Sequence, residues 1–300
     1  MLFTSGSTGQ PKGIELLHAG LVNITLHSQD AYGVGPADVL LQSTSTSFDV
    51  SLLEIFGALC LGGKLAVLPP GAQLDPPAVM HTMAKHAVTM ACAVPSVLGA
   101  WHAGGLSQST SPKLARLMIS GEPFPAELVR RTCAALPNIL LLNCYGPAEA
   151  SINVTNQGFS ANAELQQQDG PGHLSVLPPP AGNVVPIGCP VANTQIHILD
   201  KGQQPVPVRV AGEICISGVC LAQGYAGRPD LTAAGFVLAG LGSSHRERMY
   251  RTGDLGRWRH DGTIEILGRA DRQVLIMFWP NLDDCHDHSK QMRLSHLRHG

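Results

Sequence analysis

Between Val39 and Glu149, short apolar runs alternate with longer amphipathic ones, and no other feature of the sequence limits the fold as strongly. "VLLQ" (39–42), "KLAVLP" (64–69), "VTMACAV" (88–94), "LARLMIS" (114–120) and "NILLLNCY" (138–145) predict strands. "VSLLEIFGALC" (50–60), "PPAVMHTMAKHA" (76–87), "PSVLGAWHA" (95–103) and "PAELVRRTCAAL" (125–136) predict helices. Proline opens the last three of these helices, where its fixed φ and missing N–H do no harm. The strands are continuous apolar runs, as expected when both faces of a sheet are covered. Alternating β and α units predict an α/β fold, a parallel sheet with helices flanking it.

That topology places a ligand site before any motif is considered. In an open α/β sheet, ligands bind beyond the carboxyl ends of the strands. The segments there are "STSFDVS" (45–51), "AVPS" (93–96), "SGEPFP" (120–125) and "NCYGPAE" (143–149), rich in Gly, Pro, Ser and acids. A polar stretch, about 160–183, reads as a long surface loop. Beyond it, "TQIHILD", "GEICISG", "MYRTGDLGRW" and "TIEILGR" predict short strands of a β-rich, barrel-like subdomain, with a hairpin at "HDG". The expected division is 1–180 for the α/β part, 181–270 for the β-rich subdomain and 271–300 for a hinge start and irregular tail. In that tail Cys285, His286 and His288 have the chemistry of metal ligands, but it has no periodicity, and we expect no metal site.

Composition excludes several classes. The chain is 44% hydrophobic and 14% charged, the balance of a globular protein, and its net charge of −2 predicts no nucleic-acid partner. "LLEIFGALCLGGKLAVL" contains Glu54, Lys64 and paired glycines and is no membrane span, and the opening residues form no signal peptide. Eight cysteines lack C-x-x-C spacing, which predicts reduced thiols in a cytoplasmic protein.

The stretch "FTSGSTGQPKG" (3–13) has glycines to turn the backbone, hydroxyls to donate hydrogen bonds and Lys12 to meet phosphate. It is not a Walker loop: Pro11 stands where that motif has its second glycine, and Gly13 follows Lys12. A flexible linker would need neither "PKG" nor the apolar amphipathic run that follows. Asp49 lies between apolar residues beyond a strand end, where a bound ammonium would satisfy its carboxylate. It is equally placed to cap the helix that starts near Val50.

Taken in order, "FTSGSTGQPKG", "NCYGPAE", "GEICISGVCLAQGY" (212–225), "YRTGDLGRW" (250–258) and "GRADRQV" (268–274) resemble the adenylate-forming enzymes. "FDVSLLE" (48–54) is similar to the version in adenylation domains of nonribosomal peptide synthetases. The resemblance covers residues 1 to about 276 and implies that family's large-domain fold. It implies ATP-dependent activation of an amino acid as aminoacyl-adenylate, then transfer to the phosphopantetheine thiol of a peptidyl carrier protein. By resemblance, Thr4, Ser5, Gly6, Ser7, Thr8, Gly9 and Lys12 cradle the phosphates. Asn143, Tyr145 and Gly146 hold adenine, Glu149 ligates Mg2+, and Asp254 and Arg269 meet the ribose. Asp49 receives the α-ammonium. Val50, Leu53, Cys92, Met118, Ser120, Cys144, Ile152 and Asn153 line a side-chain pocket suited to a neutral, apolar amino acid. Ala148 stands where the family commonly has Thr, at some loss of contact to the α-phosphate.

Against the family pattern, the part before the phosphate loop is missing. So is the lid domain that follows the hinge, Asp271, and carries a lysine to the active site; Lys290 is the only later lysine. The expectation is therefore a fragment truncated at both ends, with the activity of this chain by itself left open. Two alternatives remain at this point. One is an acyl- or aryl-CoA ligase, which a carboxylate at position 49 opposes. The other is a nucleotide-binding remnant without catalysis.

Overall fold

The structure, a computed structural model, describes residues 1–4, 11–166, 174–239 and 246–270. Ser5, Gly6, Ser7, Thr8, Gly9, Asp271, Cys285, His286, His288 and Lys290 lie outside the described residues.

The chain opens with two short antiparallel strands, β1 (Leu2–Thr4) and β2 (Lys12–Ile14), in a register that sets Thr4 opposite Lys12. Helix α1 (His18–Tyr32) follows and stops at Gly33, whose φ of 65° closes the last turn on the carbonyls of Gln29 and Ser28. Then come β3 (Val39–Gln42), α2 (Val50–Leu59), β4 (Lys64–Val67), α3 (Pro76–Lys85), β5 (Met90–Ala93), α4 (Pro95–Ala103), β6 (Arg116–Ile119), α5 (Ala126–Ala135) and β7 (Leu140–Tyr145). These match the alternation read from the sequence, and α4 matches it residue for residue.

The strands β4, β3, β5, β6 and β7 are neighbours in that order, all parallel. Beyond β7 the sheet turns antiparallel with β8 (Thr155–Phe159), a strand not foreseen. Nine residues join β7 to β8, too few for a parallel crossover, so the chain must return beside itself. After α6 (Ala163–Gln166), β9 (Val176–Leu177) and β10 (Cys189–Pro190) pair with β8. Both α6 and β9 fall inside the stretch expected to be all loop.

Strand pleating divides the core. On one face Leu117, Ile119 and Leu141 pack with Val79, Met83, Leu98, Trp101 and Val129 of α3, α4 and α5. On the other, Leu40, Met90, Cys92, Met118, Leu142 and Cys144 pack with Ile24 and Tyr32 of α1 and Leu53 of α2. Cys92 lies opposite Met118, and Met118 opposite Leu142, so these side chains share a face because they share parity.

The β-rich part is an antiparallel sheet of β11 (Thr194–Leu199), β12 (Gly212–Gly218), β13 (Phe236–Ala239), β14 (Glu247–Trp258) and β15 (Ile264–Arg269), with α7 (Pro229–Gly235) before β13. The twelve-residue β14 pairs with β13 through its first half and with β15 through its second. The β14–β15 turn is the expected hairpin at "HDG", closed by Arg259 N–H on the Thr263 carbonyl with Gly262 at a φ of 78°. Backbone seams tie this part to the rest. Ile187 N–H donates to the Ile264 carbonyl, and β2 runs beside residues 223–226, with Glu15 N–H on the Gly224 carbonyl.

Candidate functional site at the carboxyl edge of the sheet

The segment after β7 organises the site. A Cβ on Gly146 would come within 2.4 Å of the Ile152 carbonyl oxygen, so only glycine permits the turn to fold back there. The turn itself is strained: Ser151 and Ile152 hold φ of 57° and 80°, the latter unusual for a β-branched residue. Strain of this kind persists where surrounding contacts over-determine it. Here Ser151 Oγ donates to the Cys220 carbonyl at 2.7 Å, and Asn153 Nδ2 to Met118 Sδ at 3.2 Å.

Three groups of side chains meet on this scaffold. In the first, Tyr145 Oη donates to Asp254 Oδ2 at 2.6 Å, and Arg269 Nη1 reaches Asp254 Oδ1 at 3.1 Å. Asp254 is buried and braced by its own N–H on Thr252 Oγ1. Burial, and then the neighbouring Asp254 charge, hold the Tyr145 phenol well above its ordinary range. Strand β7 and the β14–β15 pair are thus joined by one acid shared between a phenol and a guanidinium. Asn143, buried two residues before Tyr145, donates its amide to the Pro186 carbonyl at 2.8 Å.

The second group surrounds Glu149, on a single 3-10 turn after β7. Tyr225 Oη donates to Glu149 Oε1 at 2.6 Å, and Tyr250 Oη lies 3.4 Å from Tyr225 Oη. Lys12 Nζ stands 5.5 Å from the centre of the Tyr225 ring, which brings β2 to the same place. Tyr225 and Tyr250 were not picked out from the sequence, although they close and open two of the quoted motifs.

The third group is the β3–α2 connection. Asp49 occupies the N-cap position of α2, but its side chain makes no capping hydrogen bond to that helix. Among the described residues no lysine, arginine or histidine forms an ion pair with it. The carboxyl is pushed up to about 6, first by removal from water and then by the nearby Glu149 charge, while backbone N–H groups of Val50 and Ile152 pull it back. Leu53, Cys92, Met118, Cys144 and Ile152 form one buried cluster on this side of the sheet, with Val50 packed against it. Asn153 is 1% exposed and its Oδ1 has no hydrogen-bond partner among the described residues. Ser120, half-buried at the end of β6, donates its N–H to the Ala93 carbonyl. Glu54, missed in the sequence, is a buried carboxylate on α2 that accepts from Thr44 Oγ1 at 2.7 Å.

The arrangement therefore sets an acid without a cation, Asp49, near a second acid, Glu149. A lysine and two tyrosines stand behind Glu149, and a Tyr–Asp–Arg group lies on the same β7 turn. Its charges would complement a ligand with positive charge at one end and negative charge at the other. Among the described residues no cluster of three or more His, Cys, Asp or Glu could hold a metal by protein ligands alone. Glu149 fits the other way of binding Mg2+, one carboxylate beside substrate phosphates. No helix among the described residues is long and apolar enough to cross a membrane.

Known proteins carry the same pattern. The family model for AMP-binding enzymes matches residues 1–226. The chain is 41% identical over 276 residues to a subunit of linear gramicidin synthase from Brevibacillus parabrevis, covering 92% of this chain and 5% of that protein. It is 41% identical over 279 residues to enterobactin synthase component F of Escherichia coli, covering 92% and 20%. The chain thus spans a twentieth to a fifth of the length of these relatives. Among solved structures it is similar to holo-PA1221, a nonribosomal peptide synthetase protein containing adenylation and PCP domains bound to a vinylsulfonamide inhibitor. There the TM-score is 0.76 at 29% identity, covering 91% of this chain and 44% of that one. On these grounds the chain belongs to the AMP-binding enzyme family.

Proposed function

We propose that this site activates a neutral, apolar amino acid with ATP, forming an aminoacyl-adenylate for a carrier-protein thiol in nonribosomal peptide synthesis. One observation carries the reading: the Asp49 carboxylate stands beside an apolar cluster, within reach of the Glu149 charge and without a cation among the described residues. A carboxylate in that position repels a simple acid and welcomes an α-ammonium, which is why a CoA ligase acting on plain acids fits less well.

In this reading Thr4 and Lys12, opposite each other on β1 and β2, flank the loop that holds the phosphates. Tyr145, with Asn143 and Gly146, holds adenine, and Asp254 and Arg269 meet the ribose. Glu149 would hold Mg2+, which supplies charge neutralisation on the phosphates. Leu53, Cys92, Met118, Cys144, Ile152, Val50, Ser120 and Asn153 shape the side-chain pocket. The amino-acid carboxylate oxygen bonds to the α-phosphorus as the bond to pyrophosphate breaks. The residues' part in that step is to position and to neutralise. Cys60, Cys92, Cys133, Cys144, Cys189, Cys215 and Cys220 are free thiols, in keeping with work in the reducing cytoplasm.

The test is ATP–pyrophosphate exchange over the twenty amino acids, with calorimetry for each ligand. Exchange driven by a neutral apolar amino acid supports the reading; exchange driven by Lys, Asp or Glu overturns it. ATP binding without exchange supports a non-catalytic nucleotide-binding role instead.

A further inference from the structure

The seven residues from Ser43 to Asp49 link β3 to α2, and the middle of the link, Ser45–Phe48, is exposed. A link of this kind is mobile unless both its ends are tied. Its far end is tied by α2: Ser51 Oγ donates to the Phe48 carbonyl at 2.6 Å, and Leu52 N–H to the Asp49 carbonyl at 2.9 Å. Its near end is tied by Glu54. The Glu54 carboxylate accepts from Thr44 Oγ1 at 2.7 Å, from Thr44 N–H at 3.1 Å and from Ser43 Oγ at 3.3 Å. Ser43 Oγ also lies 3.3 Å from the Cys92 carbonyl of β5, so the same knot fixes the link to the sheet.

Glu54 is 1% exposed, and no lysine, arginine or histidine among the described residues pairs with it. Burial pushes its carboxyl up to about 7 against the pull of the Thr44 and Ser43 donors. A buried carboxylate without a cation is costly, and a purely apolar helix face would be cheaper at this position. Its partners are all on the link that ends in Asp49, which says where its effect is felt.

We propose that Glu54 is a positioning residue for amino-acid recognition: by clasping Thr44 and Ser43 to α2 it fixes the link that presents Asp49 to the ammonium group. The inference rests on the reading of Asp49 given above. Glu54 itself touches no substrate in this scheme; it acts through the backbone of residues 43–49.

The experiment compares the full chain with Glu54→Ala, Glu54→Gln, Thr44→Val and Asp49→Ala. Calorimetry reads the affinity for ATP and for the amino acid selected by the exchange panel. Hydrogen exchange reads amides 44–49. Glu54→Ala is expected to weaken the amino acid about tenfold, the worth of a lost hydrogen bond to a charged group, with ATP within about twofold. Amides 44–49 should exchange about tenfold faster, with those of β5 and β6 unchanged. Thr44→Val, which leaves the core untouched and serves if Glu54→Ala fails to fold, should move the same readouts about threefold. Glu54→Gln keeps an acceptor for Thr44 and should restore most of the affinity.

Amino-acid affinity and loop exchange unchanged in both Glu54→Ala and Thr44→Val, while Asp49→Ala abolishes amino-acid binding, overturns the role of Glu54 alone. Equal loss for both ligands overturns it too, as a general structural effect. Amino-acid binding that survives Asp49→Ala refutes the reading of Asp49 itself, a separate failure.

Discussion

The two ends of the parallel sheet treat their acids in opposite ways. At the amino end, Asp38 is buried and fully partnered: Arg116 Nη1 reaches it at 2.7 Å, Thr89 Oγ1 donates to it at 2.7 Å and Gly35 N–H at 2.8 Å. Arg116 donates further to the carbonyls of Tyr32 and Gly33, which locks the end of α1 onto β6. At the carboxyl end, Asp49 and Glu54 have no cation among the described residues, and burial pushes both well above ordinary carboxylates. Asp38 is compensated by a cation within the fold; in the reading proposed above, Asp49 keeps its charge for a ligand and Glu54 holds the link that presents it, both at a cost to stability.

The sharpest way to break the comparison is Asp49→Ala. It is expected to reduce amino-acid affinity about 1,000-fold, since a site built for a buried charge pair loses most of its hold when one member goes. Thermal stability should stay the same or rise, because the chain sheds a poorly hydrated carboxylate that no cation among the described residues compensates. Next in size is Arg116→Ala at the opposite end. It strands Asp38 and is expected to cost about 3 kcal/mol in urea unfolding, with ligand affinities of the folded protein unchanged. If Arg116→Ala weakened the amino acid selectively, or Asp49→Ala destabilised the fold, the contrast between the two ends would collapse.

How much of this was legible follows from the same physics. Strands β3 and β5 to β7 declared themselves because both faces are covered and nearly every position is apolar; edge strand β4, with Val67 exposed, showed by its apolar run alone. Strand β8 did not: Thr155, Asn156 and Gln157 are buried but polar, with Asn156 Nδ2 2.9 Å from His27 Nε2, so it read as loop. Helix α1 hid for a related reason. It lacks a capping side chain and buries Asn23, Thr25, His27 and Ser28, so only an apolar amphipathic run was visible there. In the candidate site, Asp49 and the Tyr145–Glu149 segment stood out in the sequence because motifs and the strand-end rule both mark them, and the structure sets both at the carboxyl edge of the sheet. That Cys92, Met118 and Cys144 share a face follows from strand parity. Glu54 was invisible: a lone acid in an apolar helix reads as its solvent side until tertiary contacts show Thr44 and Ser43 closing over it. The joining of Tyr145 to Asp254 and of Glu149 to Tyr225 spans 109 and 76 residues, a distance no local pattern encodes.

The smallest expected effect uses pH to separate what the carboxyl-end acids do for binding from what they do to stability. The carboxyls of Asp49 and Glu54 are raised from 3.8 and 4.5 to about 6 and about 7. Between pH 5 and pH 8 the folded state therefore holds protons that the unfolded state has already released. Stability must fall as pH rises through that window, because deprotonation in the fold leaves charge in a poorly hydrated place. After allowance for water reaching the half-buried Asp49, the loss is about 2 kcal/mol from pH 5 to pH 8, read by urea unfolding. Amino-acid affinity should run the other way. It should weaken as pH falls through about 6, approaching tenfold per unit, because protonated Asp49 no longer attracts an ammonium. Asp49→Asn together with Glu54→Gln should flatten the stability curve, and Asp49→Asn alone should remove the pH dependence of binding. If binding and stability instead improved together with rising pH, the charged forms of Asp49 and Glu54 would be stabilised within the fold, and the contrast with the ion-paired Asp38 would collapse.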